Sequence, residues 1–187
     1  MAQTLERILP FSKNLLERAL KPGDIAVDGT AGNGHDTLFL AKLVGETGHV
    51  YSFDVQKEAI VSTQNKLDEE KLTNVSLIHD GHENLSHYVT HPVSAAIFNL
   101  GYLPGSDQSI TTQGQTTWKA VTDLLTLLKK NGILILVIYH GHLEGKAERH
   151  HLESRLQELD SKIYQVLTYQ FTNRKTAPFI IAIEKLH

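Results

Sequence analysis

The stretch "IAVDGTAGNGHDTLFLAKLVG", residues 25–45, decides how the rest of the chain is read. "IAVDG" is a short apolar run of strand character, and "HDTLFLAKLVG" carries apolar residues at helical spacing, closed by Gly45. Between them Gly32 and Gly34 fall in the strand-to-helix turn. A missing Cβ there lets backbone approach a ligand, and the first turn of the helix offers N–H groups with no partner inside the helix.

Working outward, the same unit repeats. "GHVYSFDV" reads as a second strand, "QKEAIVSTQNKLDEEKL" as a helix, "VSLIHDG" as a third strand and "AAIFNLG" as a fourth. Then "TWKAVTDLLTLLKKNG" reads as a helix with a Gly stop. "ILILVIY" reads as a strand buried on both faces, placed at the sheet centre. "KAERHHLESRLQEL" is a further helix, and "KIYQVLTYQF" and "PFIIAIEK" form an antiparallel hairpin around "TNRKTA". Residues 3–20 have a helical period interrupted at Pro10, which predicts two short helices or a kinked one. The alternation is that of right-handed crossovers in a parallel sheet, an α/β fold. No linker or repeat divides the chain, so residues 1–187 are expected to form one domain, with 1–20 as an N-terminal helical segment.

The composition restricts the function classes. With no cysteine there are no disulfides, thiolate nucleophiles or Cys-ligated zinc, and the eleven His never form HExxH, so no metal is expected. A net charge of −3 is not that of a strongly basic nucleic-acid binder, although a local basic patch is compatible with it. No apolar run of membrane-spanning length and no signal-peptide pattern occur, so a cytoplasmic location and no membrane association are expected.

The glycine turn restricts the ligand. A dinucleotide site wants Gly or Ala at position 37, where this chain has Thr37, and Asp28 ends the first strand. Both details argue against NAD. An acid there suits a cofactor with a cationic centre, an amine and no phosphate, and S-adenosylmethionine is such a molecule. Asp54 ends the second strand twenty residues after Gly34, where an acid can accept ribose hydroxyls, with Gln56 flanking. Asp80 ends the third strand, placed to receive the adenine amino group, with Gly81 and His82 lining the ring.

Asp28, Gly32 and Gly34 match the Asp/Glu-x-x-x-Gly-x-Gly cofactor loop of the class I S-adenosylmethionine-dependent methyltransferases, a resemblance that covers essentially the whole chain. It implies a Rossmann-like seven-stranded sheet, mostly parallel, of order 3-2-1-4-5-7-6 with helices on both faces. It also assigns Asp28, Thr30, Gly32, Asn33, Gly34, Asp36, Asp54, Gln56, Asp80, Gly81 and His82 to the cofactor, with S-adenosylhomocysteine as product. More narrowly, "DGTAGNGHDT" with "FNLGYLPG" resembles the MnmM family of tRNA 5-(aminomethyl)-2-thiouridine methyltransferases, formerly grouped as rRNA methylases; Thr30 replaces a Gly of the broad family but suits this one. In methyltransferases acting on exocyclic amines, an Asn-Pro-Pro-Tyr element ends strand four and binds the target amine. "NLGY" keeps Asn99 and Tyr102, the expected catalytic residues, and replaces both prolines by Leu100 and Gly101.

The resemblance implies methylation of the 5-aminomethyl group of wobble uridine, with the tRNA anticodon arm as partner, no DNA, and a homodimer. Alternatives left open are an rRNA or small-molecule amine methyltransferase and a non-catalytic S-adenosylmethionine-binding module. His140 is a base candidate by location, and the polar run from Ser106 to Gln115 is a candidate substrate-facing loop. Lys129, Lys130, Arg149, His150, His151, Arg155, Arg174 and Lys175 are candidate phosphate contacts.

Overall fold

The computed structural model describes residues 4–101, 114–139, 152–174 and 177–187. Tyr102, Pro104, the loop from Ser106 to residue 113, His140, Arg149, His150, His151 and Lys175 lie outside the described residues.

Helix α1 (Ile8–Ala19) leads into β1 (Ile25–Asp28), α2 (His35–Val44), β2 (His49–Phe53), α3 (Lys57–Glu69) and β3 (Val75–Ile78). A 3-10 helix (His82–His87) precedes β4 (Val93–Leu100), α4 (Gly114–Leu127), β5 (Leu128–Ile138), β6 (Tyr164–Tyr169) and β7 (Phe179–Lys185). Residues 152–157 are helical. The strands form one seven-stranded sheet of order β3-β2-β1-β4-β5-β7-β6. Its β1, β2, β3, β4 and β5 pair in parallel, and β7 runs antiparallel to both neighbours. The sheet order is the one the resemblance implies, and the closing hairpin is as the sequence predicts.

The period of two along the central strands explains why helices cover both faces. Ala26, Val50, Ala95, Ile97, Ile133, Ile135, Val137, Ile180 and Ala182 share one buried cluster with Ile8 and Leu16 of α1 and Leu40, Ala41 and Val44 of α2. The intervening residues Val27, Phe53, Ala96, Phe98, Leu134, Leu136, Ile138, Phe179 and Ile181 face a second cluster with Ala120, Val121 and Leu124 of α4, and Leu152 and Leu156. The even-numbered residues of β1 and β2 therefore face α2, as do the odd-numbered residues of β4. Asp28, Ser52 and Asn99 continue these rows at the carboxyl ends of their strands, so the fold brings them to the face of α2.

Three expectations are corrected. Pro10 does not break α1: it sits in the first turn, where its missing N–H has no helical acceptor to lose, and the helix runs through to Ala19. Residues Lys129 to Gly132, expected to end the preceding helix, belong to β5, with Asn131 at φ 61 and a register shift against β4. And β4, not β5, is the middle strand of the seven.

Candidate cofactor and methyl-transfer site

Gly29 continues β1 toward β4, donating its N–H to Ile97 O at 2.9 Å. A Cβ at this position would stand 2.2 Å from the ring of Phe98, a side chain fully buried in the core, so only glycine permits this approach. The other face of the local packing is His82, whose ring stacks on Phe98 with centroids 5.1 Å apart and whose Nδ1 lies 3.1 Å from Gly29 O. Burial lowers the His82 pKa, so the neutral ring donates from Nδ1 to that carbonyl. Its Nε2 has no partner among the described residues. His82 thus packs between the strand ends and fixes the 3-10 helix to β1.

The loop after Gly29 is built around carboxylates. Asp28, with no exposure, accepts from the Thr30 N–H at 3.0 Å and from the Thr37 hydroxyl at 2.6 Å. With that proton committed, the Thr37 hydroxyl accepts from Ser52 Oγ at 2.7 Å. Thr37, which reads in sequence as the lack of a small residue, is therefore the hydroxyl that satisfies the buried acid. Burial, reinforced by the charge of Asp36, pushes the Asp28 carboxyl up to about 7, against the lowering effect of its hydrogen bonds. Asp28 organises the loop from inside and presents no surface to a ligand.

Asp54 is half-buried at the edge of the same loop. Its Oδ2 accepts from Gly32 N–H at 2.8 Å and its Oδ1 from Gln56 N–H at 2.9 Å, so one carboxylate ties the glycine loop to the start of α3 and keeps lone pairs on each oxygen. Gly34 takes the left-handed conformation, φ 78, as the residue before α2, and a Cβ there would lie 2.9 Å from Thr63 Oγ1. From α3, Thr63 Oγ1 donates to Gly32 O at 3.3 Å and Lys66 Nζ to the carbonyl of exposed Asn33 at 2.5 Å. Neither residue carries a motif signal in the sequence; only the packing of α3 against the loop reveals them.

Asp80 spends its carboxylate on the turn after β3, accepting from Gly81 N–H at 2.7 Å, Asn84 Nδ2 at 2.9 Å and the Tyr88 hydroxyl at 2.9 Å. The Asn84 and Tyr88 side-chain bonds hold its pKa below the usual carboxylate value. Tyr88 leans edge-on against Phe53, with centroids 5.7 Å apart, at the carboxyl end of β2.

Asn99 connects the glycine loop to β4. Its backbone N–H donates to Thr30 Oγ1 at 2.7 Å, and its Nδ2 donates to Asp36 Oδ2 at 2.8 Å. Thr30, a departure from the broad methyltransferase pattern, supplies the hydroxyl that ties the glycine loop to β4. Gly101 follows at φ 137, a conformation open to glycine alone. Its neighbour Tyr139, whose N–H donates to Leu100 O at 3.0 Å, caps β5 beside it. Burial and the Asp36 charge raise the Tyr139 pKa. Tyr139 and the base candidate His140 follow the same apolar run, and nothing in the sequence distinguishes Tyr139.

The basic candidates separate by their place on the sheet. Lys129 and Lys130 stand at the amino end of β5, roughly 25 Å of strand away from Ile138. Lys129 pairs with Asp24 at 2.9 Å. They lie at the opposite end of the sheet from Asn99. Arg155 is exposed. Arg174, stacked over Phe171 at 5.0 Å, lies in the hairpin between β6 and β7, at the same end as Ile138, which pairs with Phe179.

Residues 50–184 match the family model described as "Putative rRNA methylase". The chain belongs to this family. It is 35% identical over 180 residues, 90% of its length, to the chloroplastic tRNA (mnm(5)s(2)U34)-methyltransferase of Arabidopsis thaliana, of which it spans 66%. A crystal structure of the same family description from Clostridium thermocellum superposes with a TM-score of 0.96 at 41% identity, covering 98% of this chain and all of that one. A methyltransferase from Streptococcus mutans, solved in complex with S-adenosylhomocysteine, superposes with a TM-score of 0.91 at 40% identity over 98% of this chain and all of that one. By family and fold the chain is a class I S-adenosylmethionine-dependent methyltransferase. No helix among the described residues is long and apolar enough to cross a membrane.

Proposed function

We propose that this enzyme transfers the methyl group of S-adenosylmethionine to the 5-aminomethyl group of wobble uridine or 2-thiouridine in tRNA, giving the methylaminomethyl form. The observation that carries the reading is Asn99. Its amide nitrogen is held by Asp36, so its Oδ1 is the end left to accept an N–H from a target amine beside the glycine loop. The name of the Arabidopsis relative supports the same substrate.

The residues present fit the donor. The loop offers carboxylates and backbone N–H groups, and Lys66, the lysine seen bonded to it, is spent on a carbonyl. Such a lining suits ribose hydroxyls and a cationic ligand better than a diphosphate. Asp54 and Gln56 would hold the ribose; Thr30, Gly32, Asn33 and Gly34 the amino-acid end; Asp80, Gly81 and His82 the adenine side. When bound, S-adenosylmethionine supplies a methyl on a sulfonium that leaves as a neutral thioether. The chain's own task is alignment and exclusion of water. Asn99 orients the nitrogen, and Tyr102 is proposed to lie against the base.

The reading extends to the anticodon arm as partner, two copies of the chain widening the RNA surface, a single domain over residues 1–187, and action in the cytoplasm. Incubation with labelled S-adenosylmethionine and separate pools of aminomethyl-bearing tRNA, rRNA and small amines tests it. Label should appear in tRNA and, after digestion, in a methylaminomethyl nucleoside; label confined to rRNA or small amines overturns the substrate.

A further inference from the structure

Asp36 stands apart from the other acids of the site. It is half-buried in the first turn of α2, accepts from Asn99 Nδ2 at 2.8 Å, and among the described residues pairs with no Lys, Arg or His. A carboxylate can only accept hydrogen bonds, so its presence determines which end of the Asn99 amide faces it: the nitrogen is committed and the oxygen is turned away. Its charge is felt by buried Asp28 on one side and by the Tyr139 phenol on the other. The carboxylate therefore lies among the ends of β1, β4 and β5, beside Asn99 and an aromatic ring. The cofactor assignment groups Asp36 with donor contacts; the geometry places it against the acceptor residue.

Resting on the amine reading above, we propose that Asp36 is the acceptor-side carboxylate: it sets Asn99 with Oδ1 outward, meets the substrate's ammonium as counter-charge, and takes its proton. The proton passes from nitrogen to the Asp36 carboxylate. The freed lone pair then forms the N–C bond as the methyl–sulfur bond breaks, leaving a secondary ammonium and a neutral thioether. Asp36 releases its proton to water.

The test is Asp36→Asn, which keeps shape and removes charge. Its affinity for S-adenosylhomocysteine by calorimetry is expected within about threefold of wild type. Its kcat on aminomethyl-bearing tRNA at pH 7 is expected to fall about 100-fold. The deficit should shrink as pH rises toward the range where the amine is neutral unaided, whereas a purely structural defect would lower the rate equally at every pH. Asp36→Glu, which keeps the charge, should recover part of the pH 7 rate. A tenfold or larger loss of S-adenosylhomocysteine affinity with kcat retained overturns the assignment and returns Asp36 to the donor. A deficit independent of pH overturns the proton step. Absence of transfer by the wild-type enzyme to aminomethyl-bearing tRNA overturns the substrate reading and the proton step with it, while the calorimetric comparison still decides whether Asp36 serves the donor.

Discussion

The carboxyl ends of β1, β2 and β3 differ from those of β4 and β5 in how their polar atoms are used. On the first side each acid is engaged internally: Asp28 by Thr30 and Thr37, Asp54 by Gly32 and Gln56, Asp80 by Gly81, Asn84 and Tyr88. On the second side, among the described residues, Asn99 is tied through its backbone N–H and its amide nitrogen, and Tyr139 stands 39% exposed. The first region is held by its own hydrogen bonds, and such internal ordering reduces the cost of binding. The second, among the described residues, keeps acceptor capacity at Asn99 Oδ1, the atom proposed to meet the substrate.

Breaking the organised region should have the largest effect. Gly29→Ala drives a methyl into the buried Phe98 ring and is expected to cost about 3 kcal/mol of stability, near the upper end for overpacking, read by urea denaturation. Asp54→Ala removes two charge-assisted bonds to backbone and the expected ribose acceptor. S-adenosylhomocysteine affinity should fall about 30-fold by calorimetry, with kcat at saturating donor changed far less. Retained affinity would show that the loop is held without it.

A subtler break uses pH. Because the folded Asp28 carboxyl is raised from 3.8 to about 7, the folded protein keeps a proton that the unfolded chain has released across that window. Its contribution to stability is thus full below the unfolded value and declines as pH rises, by at most about 1.4 kcal/mol per pH unit, levelling off above 7. Asp28→Asn should remove this component, so the stability difference between wild type and variant should change with pH between 4 and 7; parallel profiles would refute it. The smallest effect is expected at Lys66→Ala, where loss of an exposed contact to Asn33 O should weaken donor binding by no more than about threefold.

The fold was readable because apolar period and glycine punctuation agree along the chain, and the deviations are local. Pro10 reads as a break only if its place within the helix is unknown, and the extension of β5 over Lys129 and Lys130 depends on pairing with β4. The site was readable as positions but less so as roles. Asp28, Asp54 and Asp80 end their strands as expected, yet hydrogen bonds across many residues decide what each carboxylate does. Thr37 acquires meaning only against Asp28 and Ser52, and Thr30 only against Asn99, 69 residues later. Gly29 falls within the quoted motif, but its requirement is visible only against the ring of Phe98.

On the roles proposed above, the Thr30–Asn99 bond would make the two substrates thermodynamic partners. Any ordering that the donor imposes on the glycine loop would then reach, through one hydroxyl, the residue proposed to receive the acceptor. If donor binding tightens acceptor binding by some factor, acceptor must tighten donor by the same factor. Removing the hydroxyl in Thr30→Val should bring that shared factor toward one while each ligand still binds alone.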